Sequence, residues 1–440
     1  MRMHLFITFC MIFCNFSIAQ NVGIGTSDPQ AGLHIITNNG LLATGILGQG
    51  AILSVSGVGT RMIWYSRKAA FRAGTIDGGS STFWDDANIG NYSVAMGLNT
   101  RASGQASVAL GQLMEATATN SIAIGYATRS TGNYGLALGG SNVLAAAQFS
   151  VAIGNTARAN SFGGVAIGRN VNAGAGPTQG QNAYAIGIGE TAEFTTGGHY
   201  AVGDRSFVFG NNCAAVGNGS FAIGNGSISG ADFYNSTLGF NSYAFGNSCR
   251  ASGNYSFAFG NNANTNGRTG SFVMAGRTDG VQVTTALDHH LLAQFAGGFH
   301  FQTTTAANLG VYLNPNGNAW LSFCDSNLKE QILPLDDEEV LEKVSAINYT
   351  SWRYKGDPDP QNRHYGVMAQ DFFAAFGKDA LGNIGNDTAV NPIDLLGIAF
   401  SAIKALEKRT EKLEALKQEN AALRKELEAA TLRQKSRRRG

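Results

Sequence analysis

One short unit recurs through the middle of the chain and limits what it can fold into. The unit is a small or aromatic residue, an apolar residue, Ala, an apolar residue and Gly. It reads Ser93-Val94-Ala95-Met96-Gly97, then Ser107-Val108-Ala109-Leu110-Gly111, then Ser121-Ile122-Ala123-Ile124-Gly125. It continues from Gly135 to Gly139, from Ser150 to Gly154 and from Gly164 to Gly168, so the closing glycines step by 14, 14, 14, 15 and 14. A later series at Gly189, Gly203, Gly210, Gly217, Gly224, Gly239, Gly246 and Gly260 mixes steps of 14 or 15 with steps of 7. An insertion before Gly189 holds Pro177, the one proline of the array. Five alternating residues make one short strand, with alternate side chains facing inward. Glycine after the strand permits a tight turn, and adjacent Asn and Ser tolerate positive φ. Two strand-and-turn units make one fourteen-residue coil. The 179 residues from Gly97 to Gly276 predict about thirteen coils, stacked at ~4.8 Å into a rod of roughly 60 Å.

Apolar positions such as Val94, Met96, Ile122 and Ile124 are too few and too small for a wide core. A coil this narrow is expected to share its core with neighbours, which predicts a homotrimer or a similar assembly. Charge separates this array from the tail. Residues 91–276 carry seven Arg, two Asp, three Glu and no Lys, whereas the last forty residues carry 12 Lys/Arg and six Asp/Glu. The formal net charge of +1 argues against a nucleic-acid partner. A 44% hydrophobic content with few charges argues against disorder, and glycine lacks the period of three that collagen needs.

The N-terminus reads as a secretory signal: Met1-Arg2-Met3-His4 is a short basic stretch, Leu5 to Cys14 is apolar but short, and Ser17-Ile18-Ala19 fits a cleavage site. A secreted or cell-surface location follows, and no later apolar run is long enough for a transmembrane anchor. Cys213 and Cys249 are expected to pack as small apolar residues rather than pair.

The tandem Ser-Val-Ala-Ile-Gly units resemble the YadA-like head of trimeric autotransporter adhesins. That resemblance implies a left-handed parallel β-roll with three chains packed together and, as ligand, a glycan or a host or cell-surface protein. The segment Val22-Gly23-Ile24-Gly25-Thr26-Ser27-Asp28-Pro29 with Leu33-His34-Ile35 resembles the N-terminal element of bacterial tail-fibre-like surface proteins. Residues 37 to 90, with Trp64 and Trp84, read as a small β region.

After residue 277 the pattern changes. Phe295, Phe299, Phe301, Tyr312 and Asn314-Pro315-Asn316-Gly317 suggest strands and turns in a neck. Asp325 to Ile332 is expected to start a helix capped by Asp325 or Ser326, with a second helix from Asp336 to Val344. Tyr349 to Tyr354 alternates like a strand, and His364 to Ala369 reads as a short buried strand. From Pro392 to about Ala430 runs one long helix. With Leu406, Leu413, Asn420 and Leu427 at position a, Ala402, Arg409, Leu416, Leu423 and Ala430 fall at d, a short coiled-coil array.

Two motifs here carry chemistry: Cys324-Asp325-Ser326-Asn327-Leu328-Lys329 and, later, His364-Tyr365-Gly366-Val367-Met368-Ala369-Gln370. They resemble the intramolecular chaperone of endosialidases and phage tail spikes, a self-cleaving peptidase family. That family carries Ser-Asp with Lys five positions after the Ser, then a His-x-Gly-x-x-Ala-Gln stretch and a trimeric helical bundle. The resemblance implies a module that trimerises a fibre and then cuts itself off just before the nucleophile. Here Cys324 replaces the serine, so the cut would fall between Phe323 and Cys324. The thiol would attack the Phe323 carbonyl, with Lys329 as base or activator of the leaving group; His364 is a further catalytic candidate.

The expected architecture is mainly β. A signal peptide (1–19) and an N-terminal β segment (20–90) precede a trimeric parallel β-roll of 14-residue repeats (91–276). A β neck (277–320) then leads into an α+β chaperone domain with a C-terminal coiled coil (321–440). An alternative is a polysaccharide-degrading, tail-spike-like enzyme, which needs a carboxylate pair at a cleft. The array offers Glu115, Glu190, Glu193, Asp204 and Asp232, with Glu190 and Glu193 the near pair. Another is a fibre whose chaperone domain is inactive and retained. Asp288-His289-His290 reads as a turn, and no metal or cofactor site is expected.

Overall fold

The computed structural model describes residues 21–438, apart from 56, 175–180, 190–197, 227–234 and 306–308. The expected signal peptide, Pro177, Glu190, Glu193 and Asp232 lie outside the described residues. The chain divides into two compact units, one of residues up to 300 with 312–320, the other of 301–311 with 321–440.

The first unit opens with two short parallel strands, β1 (Val22–Ile24) and β2 (Leu33–Ile35), and an antiparallel hairpin of β3 (Gly59–Tyr65) and β4 (Ala70–Ile76). A parallel β-roll follows. Its first coil is β5 (Val94–Leu98) and β6 (Arg101–Ala102). Each later coil repeats that pair, so β5 and its successors extend a 15-stranded sheet that β3 and β4 begin, while β6 and its successors form a 12-stranded sheet. The register is fixed by the repeat: Val94 pairs with Val108 and that with Ile122, Ala95 with Ala109 and Ala123, Gly97 with Gly111 and Gly125.

Among the described residues the roll holds twelve two-strand coils, against about thirteen expected. The step is not always fourteen: Val165 pairs with Tyr184 and Cys213 with Asn235, so some coils take more chain. The mixed glycine series resolves into two columns. Gly187, not Gly189, is in register with Gly168. Gly203, Gly217 and Gly239 stand in the turn after the short strand, stacked on one another with Gly253. The strand glycines also differ from expectation. They lie within the strand rather than after it, and the turn is made by a left-handed residue beyond, Asn99 (φ 54°) in the first coil. Glycine is needed because successive coils approach closely: at Gly125 (φ 130°) a Cβ would strike the carbonyl oxygen of Gly139.

Each residue of the motif now has a place. The central Ala points between the two sheets, where it meets the alanines of the short strands; Ala95, Ala109, Ala123, Ala102 and Ala116 are fully buried. The leading Ser turns back to close the preceding turn, with Ser107 Oγ donating to Gly104 O at 2.7 Å and Ser121 Oγ to Ala118 O at 2.7 Å. The flanking apolar residues point the other way. Val94, Met96, Ile122 and Ile124 are therefore not in the coil's own core; they are half-buried or exposed on the outer face of the long sheet. In register they form two columns, aliphatic in the early coils and aromatic later, where Phe221 and Tyr243 stack at 5.6 Å. Cys213 and Cys249 are buried among the alanines, and their thiols donate to Gly224 O and Gly260 O of the next coil. Burial pushes the Cys249 thiol up to about 11.

At the start of the roll, side chains replace a missing strand. Between coils, Arg101 N donates to Met114 O and Ser103 N to Ala116 O. The equivalent carbonyls of the first coil, Thr100 and Ala102, have no coil before them. Trp84 Nε1 donates to Thr100 O at 2.8 Å, and Arg72 Nη2 donates to Ala102 O at 2.9 Å beside the Gly90 amide. Arg72 is in register with Ala95, at the head of the alanine column. It also donates to Ser93 O and Oγ. Burial pulls its guanidinium down to about 10, still cationic at neutral pH.

The second unit holds α1 (Asp337–Ala346), strands Thr350–Trp352 and His364–Gly366, α2 (Ala369–Phe376) and α3 (Pro392–Arg437). Asp336 caps α1 by accepting from the Glu338 and Glu339 amides, and Asn391 caps α3 with Pro392 at its first turn. The start of α3 packs Leu395, Ile398, Ala402 and Ala405 against Val340, Leu341, Phe372 and Phe376. Asp337 locks this contact, facing Ser401 (2.8 Å), Lys408 (2.9 Å) and Lys404 (3.0 Å). These donors hold its carboxyl well below the usual range, Lys408 foremost. The opposite side of α3 is bare: Leu396, Phe400 and Ile403 are exposed, as are Leu413, Leu416, Leu423 and Leu427 beyond the packed turns. No helix among the described residues is long and apolar enough to cross a membrane.

Candidate functional site

The site begins where the short strand Leu321–Ser322 ends. The expected helix after it is only a 3-10 turn, Ser326–Leu328. Asp325 shapes that turn: its Oδ1 accepts from the Asn327 amide and from Asn327 Nδ2, both at 2.9 Å, while Leu328 N donates to Asp325 O and Lys329 N to Ser326 O. The chain thereby doubles back over five residues. Lys329 Nζ comes to 2.9 Å from Cys324 Sγ, donating to the sulfur. Both side chains are exposed. An amine in contact with a thiol can take its proton, and can return one to a leaving nitrogen. The carbonyl such a thiol would attack belongs to Phe323, the residue before it.

His364 is placed elsewhere. It pairs across the small antiparallel sheet with Trp352, and its ring stacks on that indole at 4.7 Å and meets Tyr354 edge-on at 5.5 Å. Among the described residues no hydrogen bond links His364 to Cys324 or Lys329, so the structure joins two of the three sequence candidates and leaves the third in an aromatic cluster. Asp325, a motif residue expected to cap a helix, instead caps the 3-10 turn, and its two bonds to Asn327 make it the residue that folds the pair together. The Asp-x-Asn spacing, typical of a side chain bonding two residues ahead, is the signal that could have shown it.

The two described carboxylates of the array, Glu115 and Asp204, bind within the roll. Glu115 bridges Arg101 (3.6 Å) and Arg129 (3.3 Å) across neighbouring coils, and Asp204 Oδ1 accepts from the Gln181 amide. Asp288 likewise accepts from the Thr269 amide, His289 is a left-handed turn residue, and His290 Nδ1 lies 2.8 Å from Thr285 Oγ1. In the second unit a groove of about 560 Å³ lies among Leu335, Val340, Phe372, Phe376 and Ile393. None of Cys324, Lys329 and His364 lines it.

Comparison with known families places two signatures on the chain in order. The YadA head domain repeat matches residues 89–113, 116–142, 201–227 and 238–263. The chaperone of endosialidase matches residues 324–381, a match that begins at Cys324 and extends past His364. No curated protein matches the chain.

Proposed function

We propose that this protein is a homotrimeric fibre of adhesin type, secreted or held at the cell surface, whose C-terminal module assists trimer folding. The observation that carries this is the outer face of the long sheet. Its apolar columns run the length of the roll, half-buried or exposed, and no described residue of the first unit covers them. Exposing so much contiguous apolar surface is unfavourable, at about 25 cal/mol per Å². The bare leucines of α3 repeat the situation in the second unit, where heptad spacing suits a bundle of identical helices. The similarity to YadA head repeats and to the endosialidase chaperone supports the same reading. The opposite face and the turns of the roll would meet a glycan or a cell-surface ligand.

The module then cuts the chain between Phe323 and Cys324. The contact of Lys329 with Cys324 supports this second step: the amine takes the thiol proton as the sulfur attacks, and water later hydrolyses the thioester. His364 serves as a positioning element of the small sheet rather than a proton carrier. The test is the denatured intact mass of the purified protein beside Cys324→Ala, Cys324→Ser and Lys329→Met. Wild type is expected to lack residues 324 to 440, and the alanine and methionine variants to keep them. If wild type also keeps them, the module is an inactive, permanent clasp.

A further inference from the structure

The cut proposed above passes through a thioester, where a serine nucleophile would give an oxygen ester. We propose that the module transfers the Phe323 carbonyl, with the fibre behind it, to a primary amine as well as to water. This rests on the reading of Cys324 as nucleophile. Sγ attacks the Phe323 carbonyl carbon while Lys329 takes the thiol proton. The C–N bond breaks, the departing nitrogen receives that proton, and it becomes the α-amine of Cys324. A thioester now joins Phe323 to Sγ. An incoming amine attacks the same carbon, a new amide forms, and the sulfur leaves as thiolate and takes up the proton that the amine sheds. Nothing is oxidised or reduced.

Two features favour the amine over water. A thiolate is a far better leaving group than an alkoxide, so an amine that leaves an oxygen ester to hydrolysis can still displace a thiol. The site is also open. Cys324 and Lys329 are both exposed on a turn, so an acceptor larger than water can approach the sulfur. The acceptor is an unhindered primary amine, a chemistry shared by lysine side chains and by ethanolamine lipid headgroups. Transfer would fix the fibre covalently by its new C-terminal end and release a tail that begins with Cys324.

The experiment is cell-free synthesis of the full chain with a biotinylated alkylamine present, followed by denatured mass analysis of the fragment ending at Phe323. In wild type a measurable share of that fragment is expected to carry the probe as an amide. In Cys324→Ser the fragment is expected as the free acid, with labelling at least tenfold lower. Parallel reactions with a lysine peptide and with phosphatidylethanolamine vesicles tell a protein acceptor from a lipid one, and an adduct in either supports transfer. Wild type that is cut but yields only the free acid overturns the transfer and leaves self-cleavage standing. Equal labelling of Cys324→Ser removes the thioester from the account, and uncut wild type overturns both steps.

Discussion

His199 lies wholly buried in the roll, where the preceding coil has Val171. Its Nε2 donates to Ile186 O at 3.0 Å and its Nδ1 accepts from the Cys213 amide at 3.2 Å, a pattern only the neutral ring can make. Burial lowers its pKa to about 4. The unfolded chain therefore binds one more proton between roughly pH 6.5 and 4. Stability from this residue is complete above that window and falls as pH drops through it, by about 3 kcal/mol per chain. Thermal melts across pH 4 to 7 should show that slope in wild type and lose it in His199→Gln. Gly125 makes a second residue-scale case. With a positive φ and the Gly139 carbonyl against it, Gly125→Ala is expected to cost on the order of 3 kcal/mol; an unchanged denaturation midpoint would show that the coils are not so closely stacked. The sequence made this glycine conspicuous but pointed to the wrong cause. Its spacing marked a turn, whereas the constraint is the next coil's backbone, which no local pattern reveals.

At the scale of elements, the first coil depends on two side chains. Thr100 and Ala102 offer carbonyls that elsewhere accept from a preceding coil, and Trp84 and Arg72 supply the donors. Without Trp84 the Thr100 carbonyl is orphaned, at about 1–3 kcal/mol, and without Arg72 the Ala102 carbonyl keeps only the Gly90 amide. Trp84→Phe combined with Arg72→Met should therefore speed hydrogen exchange across residues 94–112 while leaving 257–276 unchanged. Uniform acceleration along the roll would mean that the coils do not open separately. This cap was illegible in the sequence for a plain reason. Arg72 and Trp84 stand outside the repeat, and their partners lie 30 and 16 residues away. The roll itself was legible, since a repeat whose early step is fourteen or fifteen leaves few ways to pair strands. The inward face was harder to assign: the larger apolar residues invite the core reading, yet the space between the sheets is filled mainly by alanine, with residues such as Val208, Val273 and His199 at single coils. The Cys324–Lys329 pair was legible only through the resemblance of its motif to the endosialidase chaperone, whereas the position of His364 depends on a sheet partner, Trp352, that its motif does not contain.

At the scale of the whole molecule, one idea explains two exposed surfaces. The outer face of the long sheet and the free side of α3 both carry apolar columns that the described residues of their own unit leave half-buried or exposed. A charge placed there tests whether copies of the chain cover them. Ile124 lies outside the alanine core, so Ile124→Asp should leave the coil intact, with unchanged circular dichroism, while weakening assembly. A similar substitution at Ala123, which faces inward, should instead unfold the coil. The most direct measurement is the native mass of the purified protein at micromolar concentration, taken with and without Ile124→Asp. The account predicts three copies for wild type and a shift toward one copy for the variant. A stable wild-type monomer would contradict it.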